Sequence, residues 1–378
     1  MTSDGKEKLS QAQKLMAEFL QRTGIGDDQG DKTRRYLWTD AFAVQACLGL
    51  AGAVNNRAYL RYAAELVEEV HHRLGKFRAD DPRQGWISGL EEKEGELHPT
   101  AGGLRIGKKL PERKPGEPFD ERREWKQDGQ YFHYLTRWFS ALLNLGRETG
   151  QAHYLVWAVE LCLAWTRFID QTADSASIYW KLSTDLTYPL VNSMGAHDPL
   201  EGLICALSVR DQVAMGKEQL EELIDDFAKI CRGKVWATDD PLGIGGLLLN
   251  AARAELLARR FTLPESIRSR KLLAEGIAGL RFFLDRSYDP SQKANSRLAF
   301  RECGLALGLR VITGLEDQAA AGTIDEKFKG LNDLASEIEN FWLLPQNQKS
   351  DTWTEHLDIN AVMLASSIIA RHSPRAFV

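Results

Sequence analysis

The chain has 378 residues, of which 43% are hydrophobic and 27% charged, and its formal net charge is -5. These proportions are ordinary for a globular protein, and a slight negative charge over this length argues against a nucleic-acid-binding surface. The five cysteines are scattered without a CxxC pair, so we expect a reducing compartment and no cysteine zinc site. The start of the chain, MTSDGKEKLSQAQKL, lacks the apolar core of a signal peptide, and no run of about 18 apolar residues is present. We therefore expect a cytoplasmic protein that does not enter the membrane.

Apolar residues recur at helical spacing along nearly the whole chain, beginning with LSQAQKLMAEFLQR at residues 9–22. The next predicted helices cover 37–53 and 55–75, the second ending at a glycine. Strand patterns are weak, and only ASIYWKLST, near 176–184, suggests a short strand. The remaining predicted helices lie at about 130–148, 151–170, 198–212, 216–232, 242–260, 265–286, 297–313, 325–342 and 354–371.

Residues 76–126 interrupt this pattern with a charged segment rich in glycine and proline. A segment of this length is too long for an ordinary connector, and such loops are usually functional or disordered. Isolated aromatic residues such as Trp86, Phe119 and Trp125 favour an ordered segment. We predict that 76–126 forms an extended loop that covers a site and contributes at least one of His98, Arg105 or Trp125 to its wall.

The predicted helices alternate between two kinds. One kind is small and apolar, as in AFAVQACLGLAGA, and the other is amphipathic and charged, as in QLEELIDDFAKICR. An apolar helix is buried, whereas a helix with a polar stripe faces water. Short connectors such as TGQ and FTLPE join neighbouring helices as tight hairpins. Alternating buried and half-exposed helices therefore indicate two concentric layers.

This pattern predicts an all-α fold, an (α/α)6 toroid of six helical hairpins, as one domain over 1–378. The segment 9–22 would pack beside 354–371 and close the ring. An irregular all-α bundle and a helical solenoid are the alternatives.

In such a ring the inner helices point the same way, so their N-terminal ends converge on one funnel. Polar and aromatic residues precede or open all six of them, in LWTDAF, EWKQDGQYFHY, MGAHDPLEG, TDDPLGIGG, NSRLAFRE and DTWTEHLDIN. Helix capping explains one acidic residue at each end. Capping does not explain the histidines, Arg301 or the tryptophans, so we predict a pocket there.

The stretches WKQDGQYFHYLTRW and MGAHDPLEG resemble the aromatic and carboxylate helix ends of the six-hairpin glycosidase-like superfamily. This resemblance implies a carbohydrate-active enzyme with a small carbohydrate substrate, most simply a glycoside hydrolase that uses two carboxylates. Asp128 and Asp198 are the candidate catalytic pair, and we expect them to face one another with His133 and His197 in the same pocket. Each of the two aspartates has helix capping as its alternative role.

The remaining residues of the predicted site would bind substrate, since aromatic faces stack on sugar rings and polar side chains bond hydroxyls. Arg105, Lys108 and Lys109 could meet an anionic substrate if the long loop folds over the funnel. The candidate substrate-binding residues are Trp38, Asp40, Arg105, Trp125, Gln130, His133, His197, Glu201, Arg301, Trp353 and His356.

Two other functions stay open. A sugar epimerase or isomerase would use His197 and His356 to move protons at carbon, because histidine suits proton transfer near neutral pH. A non-catalytic helical scaffold would bind a protein or glycan along an open groove. We expect no cofactor and assign no metal site, although a three-histidine site is not excluded. Asp239 and Asp240 fit a solvated turn, and His71 and His72 are expected at the surface.

Overall fold

In the computed structural model, residues 3–26, 30–31, 35–170, 177–213, 216–319 and 326–378 are described. Twelve long helices lie within these ranges, as many as the sequence predicts. They are α1 (Ser3–Arg22), α2 (Leu37–Ala53), α3 (Ala58–Leu74), α6 (Phe132–Thr149), α7 (Ala152–Ala164), α8 (Asp198–Val209), α9 (Lys217–Cys231), α10 (Pro241–Ala258), α11 (Ser269–Arg286), α12 (Ala299–Ala319), α13 (Glu326–Leu343) and α15 (Leu357–Ala370). Three short helices, α4 (Glu92–Leu97), α5 (Glu121–Glu124) and α14 (Asp351–Thr354), lie between them.

The strands are short and belong to two small antiparallel sheets. One sheet has the order β1 (Gln130–Tyr131), β4 (Lys181–Leu182) and β5 (Pro189–Val191), with Gln130 opposite Leu182. The other pairs β2 (Ile169–Asp170) with β3 (Ser177–Ile178). The predicted strand near 176–184 thus divides into β3 and β4, and its first residue lies outside the described part of the chain.

Several predicted helix bounds need correction. The helix predicted at 151–170 ends at Ala164, and a 3-10 turn, Trp165–Phe168, leads into β2. The helix predicted from residue 130 begins at Phe132, because Gln130 and Tyr131 pair with β4. The start predicted at residue 325 lies outside the described residues.

The chain forms two compact units. One contains Met1–Arg22, Gln45–Tyr62 and Gly233–Val378, and the other contains Thr23–Val44 and Ala63–Arg232. We call them the terminal unit and the central unit. The prediction of one domain with 76–126 over a funnel stays a prediction.

The terminal unit is built on the apolar helices α10, α12 and α15, most of whose described residues are buried. The first helix packs against the last long one, as predicted: Arg22 of α1 and Asp358 of α15 form an ion pair of 3.0 Å. Buried Glu339 of α13 accepts from Arg310 at 2.7 Å and from Ser367 at 2.8 Å. Because the carboxylate is paired, the cost of burying it is offset.

The central unit is built on α6, α7, α8 and α9, and α6 packs against both α7 and α8. Gly150, with φ of 71°, ends α6 in the left-handed conformation that glycine adopts without steric cost. At α8, Pro199 stands in the first turn, where its missing N–H costs no hydrogen bond. These ends fix where the first residues of α6 and α8 lie.

Ion pairs join parts of the segment 76–126 to one another and to the rest of the central unit. Arg83 bonds Asp81 at 2.8 Å, Glu112 at 2.6 Å and Asp185 at 2.8 Å. Farther along, the buried ammonium of Lys181 bonds the Glu124 carboxylate at 2.8 Å. No helix among the described residues has the length and apolar character needed to cross a membrane.

His71 corrects the expectation that both histidines of α3 are at the surface. Its side chain is buried, and its Nε2 accepts a hydrogen bond of 3.0 Å from the indole Nε1 of Trp138. Its ring also packs edge-on against Trp157, with the ring centroids 4.9 Å apart. His72, the next residue, is exposed.

Candidate functional site

The first turns of α6 and α8 bring together polar and aromatic side chains in the central unit. We call this set the α6–α8 cluster. It consists of Tyr36, Lys108, His133, Tyr134, Arg137, Trp180, Asp198 and Glu201. Three of these residues, His133, Asp198 and Glu201, belong to the site that the sequence predicts.

Asp198 and Glu201 lie three residues apart in the first turn of α8, and each is 4% exposed. Residues at this spacing face the same side of a helix. Burial, together with the nearby Glu201, raises the pKa of the Asp198 carboxyl to about 8. At neutral pH the Asp198 carboxyl is therefore mostly protonated and able to donate a proton.

The Asp198 carboxyl is held by the turn before α8. Its Oδ2 accepts a hydrogen bond of 3.2 Å from the backbone N–H of Gly195. A Cβ atom at Gly195 would lie 2.4 Å from that oxygen, so a side chain there would displace the carboxyl. The turn formed by MGAHD thus places its backbone close against the Asp198 carboxyl.

Glu201 is bound by two side chains of α6. Arg137 forms an ion pair with one carboxylate oxygen, and the Thr136 hydroxyl donates to the other at 2.8 Å. The pair is of the charge-assisted kind, in which both the position and the ionised form of the carboxylate are favoured. The α8 turn therefore holds one protonated and one ionised carboxyl.

His133 lies among aromatic rings at the start of α6. Its ring stacks on Trp180, with centroids 5.8 Å apart and planes at 11°, and meets Tyr134 edge-on at 4.7 Å. Burial lowers the pKa of His133 to about 4, and Arg137 and Lys108 act in the same direction while Glu201 opposes them. His133 is thus a neutral base at neutral pH, and its buried Nδ1 has no hydrogen-bond partner among the described residues.

Two tyrosines connect this histidine to Lys108. The hydroxyls of Tyr36 and Tyr134 are 2.6 Å apart, and the Lys108 ammonium lies 4.9 Å from the Tyr36 ring centroid. Burial, followed by the neighbouring tyrosines, raises the pKa of Tyr134 well above its ordinary value. Tyr134 is therefore a neutral hydrogen-bonding group, and its partner Tyr36 lies beside the Lys108 ammonium.

Asp128, the other predicted catalytic carboxylate, is bound by the 76–126 segment. It is fully buried, and its Oδ2 accepts from Arg105 at 2.6 Å. Its Oδ1 accepts from the backbone N–H groups of Gly107 at 3.0 Å and Lys108 at 3.3 Å. Both oxygens are thus occupied within the protein, whereas the carboxyl that shares a helix turn with Asp198 is that of Glu201.

The residue after Asp128 explains why the backbone follows this path. Gly129 has φ of 137°, and a Cβ there would lie 2.7 Å from the carbonyl oxygen of Leu182 in β4. Only glycine fits so close an approach. Arg105, predicted to bind substrate, also bonds the carbonyls of Arg73 and Lys76 and holds the segment in place.

Gln130 and Trp125 have different surroundings. The Gln130 amide is fully buried, accepts from the Leu104 N–H at 2.8 Å, and donates to the carbonyls of Gly102 and Thr184. Its polar atoms are thus used within the protein. Trp125 is 49% exposed and packs edge-on against Trp180 at 5.1 Å, next to the α6–α8 cluster.

Trp38 and Asp40 lie in the first turn of α2, and both are buried. Asp40 accepts from the Tyr36 N–H at 3.0 Å and lies 3.6 Å from the guanidinium of Arg35. The Trp38 ring packs against Phe42, with centroids 4.5 Å apart. These contacts account for both side chains as helix-end and core groups.

The three predicted residues of the terminal unit have other partners. Arg301 forms an ion pair with Asp240, whose second oxygen caps α10 through the Gly243 N–H at 2.9 Å. Trp353 is buried and stacks on Trp342, with centroids 5.9 Å apart. His356 is exposed at the start of α15. Of the six predicted helix ends, those of α6 and α8 therefore form the candidate site.

His197 immediately precedes α8 and is half-buried, with its carbonyl accepting from the Glu201 N–H at 3.0 Å. Sequence reasoning missed Arg137, Tyr36 and Trp180. Arg137 lies four residues after His133, so it shares the helix face of that histidine, which is the signal that the sequence offered. In the described ranges, no three His, Cys, Asp or Glu residues are grouped so that they could hold a metal ion.

No protein-family model matches the chain, and no curated protein matches its sequence. Solved structures match its fold. An inactive variant of an α-1,6-mannanase of Salegentibacter sp. HEL1_6, in complex with α-1,6-mannotetrose, aligns with 99% of this chain and 100% of its own at 12% identity and a TM-score of 0.56. The unmodified mannanase aligns over the same shares at 12% identity and 0.54.

A D-mannose isomerase aligns with 90% of this chain and 86% of its own, at 11% identity and a TM-score of 0.51. These solved structures are (α/α)6 barrels. The fold predicted from the alternation of apolar and amphipathic helices is therefore confirmed.

Proposed function

We propose that this chain is a carbohydrate-active enzyme, a glycoside hydrolase in which Asp198 donates a proton and Glu201 is the second carboxylate. The observation that supports this most is the pair in the first turn of α8. One carboxyl has a pKa of about 8, and the other is ion-paired with Arg137. A glycosidase needs such a pair of unlike carboxyls, one protonated and one ionised.

In the proposed reaction, Asp198 gives its proton to the glycosidic oxygen as the bond from that oxygen to the anomeric carbon breaks. Glu201 stabilises the positive charge that develops on the sugar ring. Trp180 and Tyr134 supply aromatic surface for the sugar, and Trp125 extends it towards solvent. The oxygen of a water molecule then bonds to the anomeric carbon, and the proton that this water loses returns to the Asp198 carboxylate.

The ligands of the similar folds guide the choice of substrate. The mannanase variant was crystallised with a mannose oligosaccharide, and the isomerase is one of D-mannose. A small carbohydrate is therefore the proposed ligand, and α-1,6-linked mannosides belong in any first panel. We also propose that the protein is cytoplasmic, because the five buried cysteines are scattered along the sequence without a CxxC pair.

A second candidate function is a sugar isomerase or epimerase, and His133 favours it. This histidine has a pKa of about 4, and its Nδ1 has no partner among the described residues. A neutral imidazole of this kind can take a proton from a carbon next to a carbonyl. The α6–α8 cluster would then transfer a proton at a sugar carbon instead of at a glycosidic oxygen.

One experiment separates the two functions. The protein is incubated in D2O with a panel of disaccharides and 4-nitrophenyl glycosides, and with D-mannose, and the products are followed by NMR. Release of free sugar that the Asp198→Asn variant does not produce supports the hydrolase. Deuterium at C2 of an otherwise intact sugar, lost in His133→Ala, supports the isomerase, and neither signal across the panel contradicts both.

A further inference from the structure

Lys108 brings a positive charge to the α6–α8 cluster without a counter-charge. Its side chain is half-buried, and its ammonium lies over the Tyr36 ring. Within the described residues it forms no ion pair and donates no side-chain hydrogen bond. The nearby carboxylate of Asp128 is taken by Arg105 and by backbone N–H groups.

Arg137 has donor capacity left after it binds Glu201. Its Nη2 pairs with that carboxylate, whereas its Nη1 is buried and has no partner in the part of the chain that the structure describes. A guanidinium carries five N–H donors in one plane, so it can bind a second anionic group beside the first. A buried donor left without a partner is costly.

The charges of the cluster do not balance at neutral pH. Lys108 and Arg137 are cations, Glu201 is an anion, and His133 is neutral because its pKa is about 4. Asp198 is mostly protonated, since its pKa is about 8. One positive charge is therefore in excess, and a ligand with a single negative charge would compensate it.

Resting on the hydrolase proposed above, we propose that the substrate is an anionic sugar, a hexuronic acid glycoside, whose carboxylate is bound between the Lys108 ammonium and the Nη1 of Arg137. The single negative charge of a carboxylate equals the excess positive charge of the cluster, whereas a phosphate monoester carries up to two negative charges. Its planar oxygens also fit the fork of a guanidinium. A neutral hexoside would leave one positive charge of the cluster uncompensated and the Nη1 of Arg137 without a partner among the described residues.

The test compares matched pairs of ligands: 4-nitrophenyl glucuronide, galacturonide and mannuronide against the glucoside, galactoside and mannoside of the same anomeric configuration. Binding is measured by calorimetry with the Asp198→Asn protein, and turnover with the wild type. We expect at least one uronide to bind about tenfold or more tightly than its neutral partner, with affinity falling as salt rises.

Lys108→Met should remove this preference, so that the uronide binds no more tightly than its neutral partner. The matched control is Lys109→Met, since Lys109 is the exposed neighbour and lies outside the cluster. Turnover of neutral glycosides without preference for uronides overturns the charge assignment and leaves the hydrolase standing. Uronide binding without bond cleavage supports the assignment and contradicts the hydrolase. Binding of none of the six ligands at millimolar concentration overturns the assignment.

Discussion

Asp198 and Glu201 occupy the same turn of α8, yet only Glu201 has an arginine ion pair in the described residues, so the two carboxyls are in different protonation states. Burial and the nearby Glu201 favour the neutral form of Asp198 and outweigh the opposing effect of Arg137, whereas the ion pair with Arg137 favours the ionised form of Glu201. Neither carboxyl alone would give this division. The interaction between them raises the pKa of Asp198 further, so replacing one carboxyl should change the pKa of the other.

The first prediction concerns turnover. Asp198→Asn keeps the shape and the hydrogen bond from Gly195 and removes the proton donor, so kcat should fall by roughly 10²–10⁴-fold. The variant should melt at or above the wild-type temperature near pH 7. Turnover is measured with the substrate identified in the panel, and melting by calorimetry.

The comparison for this prediction is Asp240→Asn, which keeps one side-chain oxygen to accept from the Gly243 N–H at the start of α10 in the terminal unit. That variant should lose about 1 kcal/mol of stability or less and turn over normally. If Asp198→Asn also turns over normally, Asp198 is only a buried turn residue, and the hydrolase proposal fails with it.

The second prediction follows from the pKa of Asp198. The folded protein binds a proton at this carboxyl up to about pH 8, whereas the ordinary value in an unfolded chain is 3.8. The folded state thus holds the extra proton between these values, and its stability contribution is full below pH 3.8 and is lost as pH rises through 8. The contribution falls by up to about 1.4 kcal/mol for each pH unit.

Urea unfolding of the wild type and of Asp198→Asn at pH 5, 7 and 9 measures this effect. The free energy of unfolding of the variant should gain on that of the wild type as pH rises. Asp333→Asn, at an exposed aspartate of α13, is the control and should run parallel to the wild type. Parallel curves for Asp198→Asn would mean that Asp198 is ionised in the folded protein.

Helix alternation was readable from the sequence because burial on all sides requires apolar residues on all sides, as in the stretch LGIGGLLLN of α10. The closure of α1 on α15 was predictable for the same reason. The short strands were not, since two-residue strands such as Gln130–Tyr131 have no period to detect. The pairing of β1 with β4 is possible because Gly129 allows the chain to approach β4 closely.

His133, Asp198 and Glu201, which the sequence predicts from polar residues at helix starts, lie together in the α6–α8 cluster. The contacts of Asp128 could not be predicted, because its partner Arg105 is 23 residues away and no local pattern reports such a pairing. Lys108 and Arg137 belong to the cluster because of their contacts and of the donors they leave without a partner among the described residues. Both depend on tertiary structure, which no local sequence pattern reports.

The third prediction separates Asp128 from Asp198. Asp128→Asn removes the negative charge that pairs with the buried guanidinium of Arg105. Breaking a buried ion pair costs about 3–5 kcal/mol of stability. The variant should unfold at a lower urea concentration, while kcat of the folded protein should change by less than about tenfold. Activity is measured well below the melting temperature.

A matched control is Asp80→Asn, because Asp80 pairs with Arg78 at the surface, where its side chain is 56% exposed. Exposed pairs contribute about 0–1 kcal/mol, so this variant should be nearly as stable as the wild type. A loss of kcat by 10²-fold or more in Asp128→Asn, with stability unchanged, would instead support the prediction that Asp128 is catalytic.

The last prediction concerns acid stability and the buried histidine of α3. Burial lowers the pKa of His71 to about 3, with a smaller contribution from His153, whereas the ordinary value is 6.5. Between these values the unfolded chain binds a proton that the folded protein does not. Stability is therefore lost as pH falls from about 6.5 towards 3, by up to about 1.4 kcal/mol for each unit.

His71→Gln tests this directly, because glutamine can accept the hydrogen bond from the Trp138 indole and does not titrate. Between pH 7 and pH 4, the free energy of unfolding of His71→Gln should fall less steeply than that of the wild type. His72→Gln changes the exposed neighbour on the same helix and should keep the wild-type slope. Equal slopes for all three proteins would mean that His71 is protonated in the fold, and the hydrogen bond assigned from Trp138 to its Nε2 would have to be wrong.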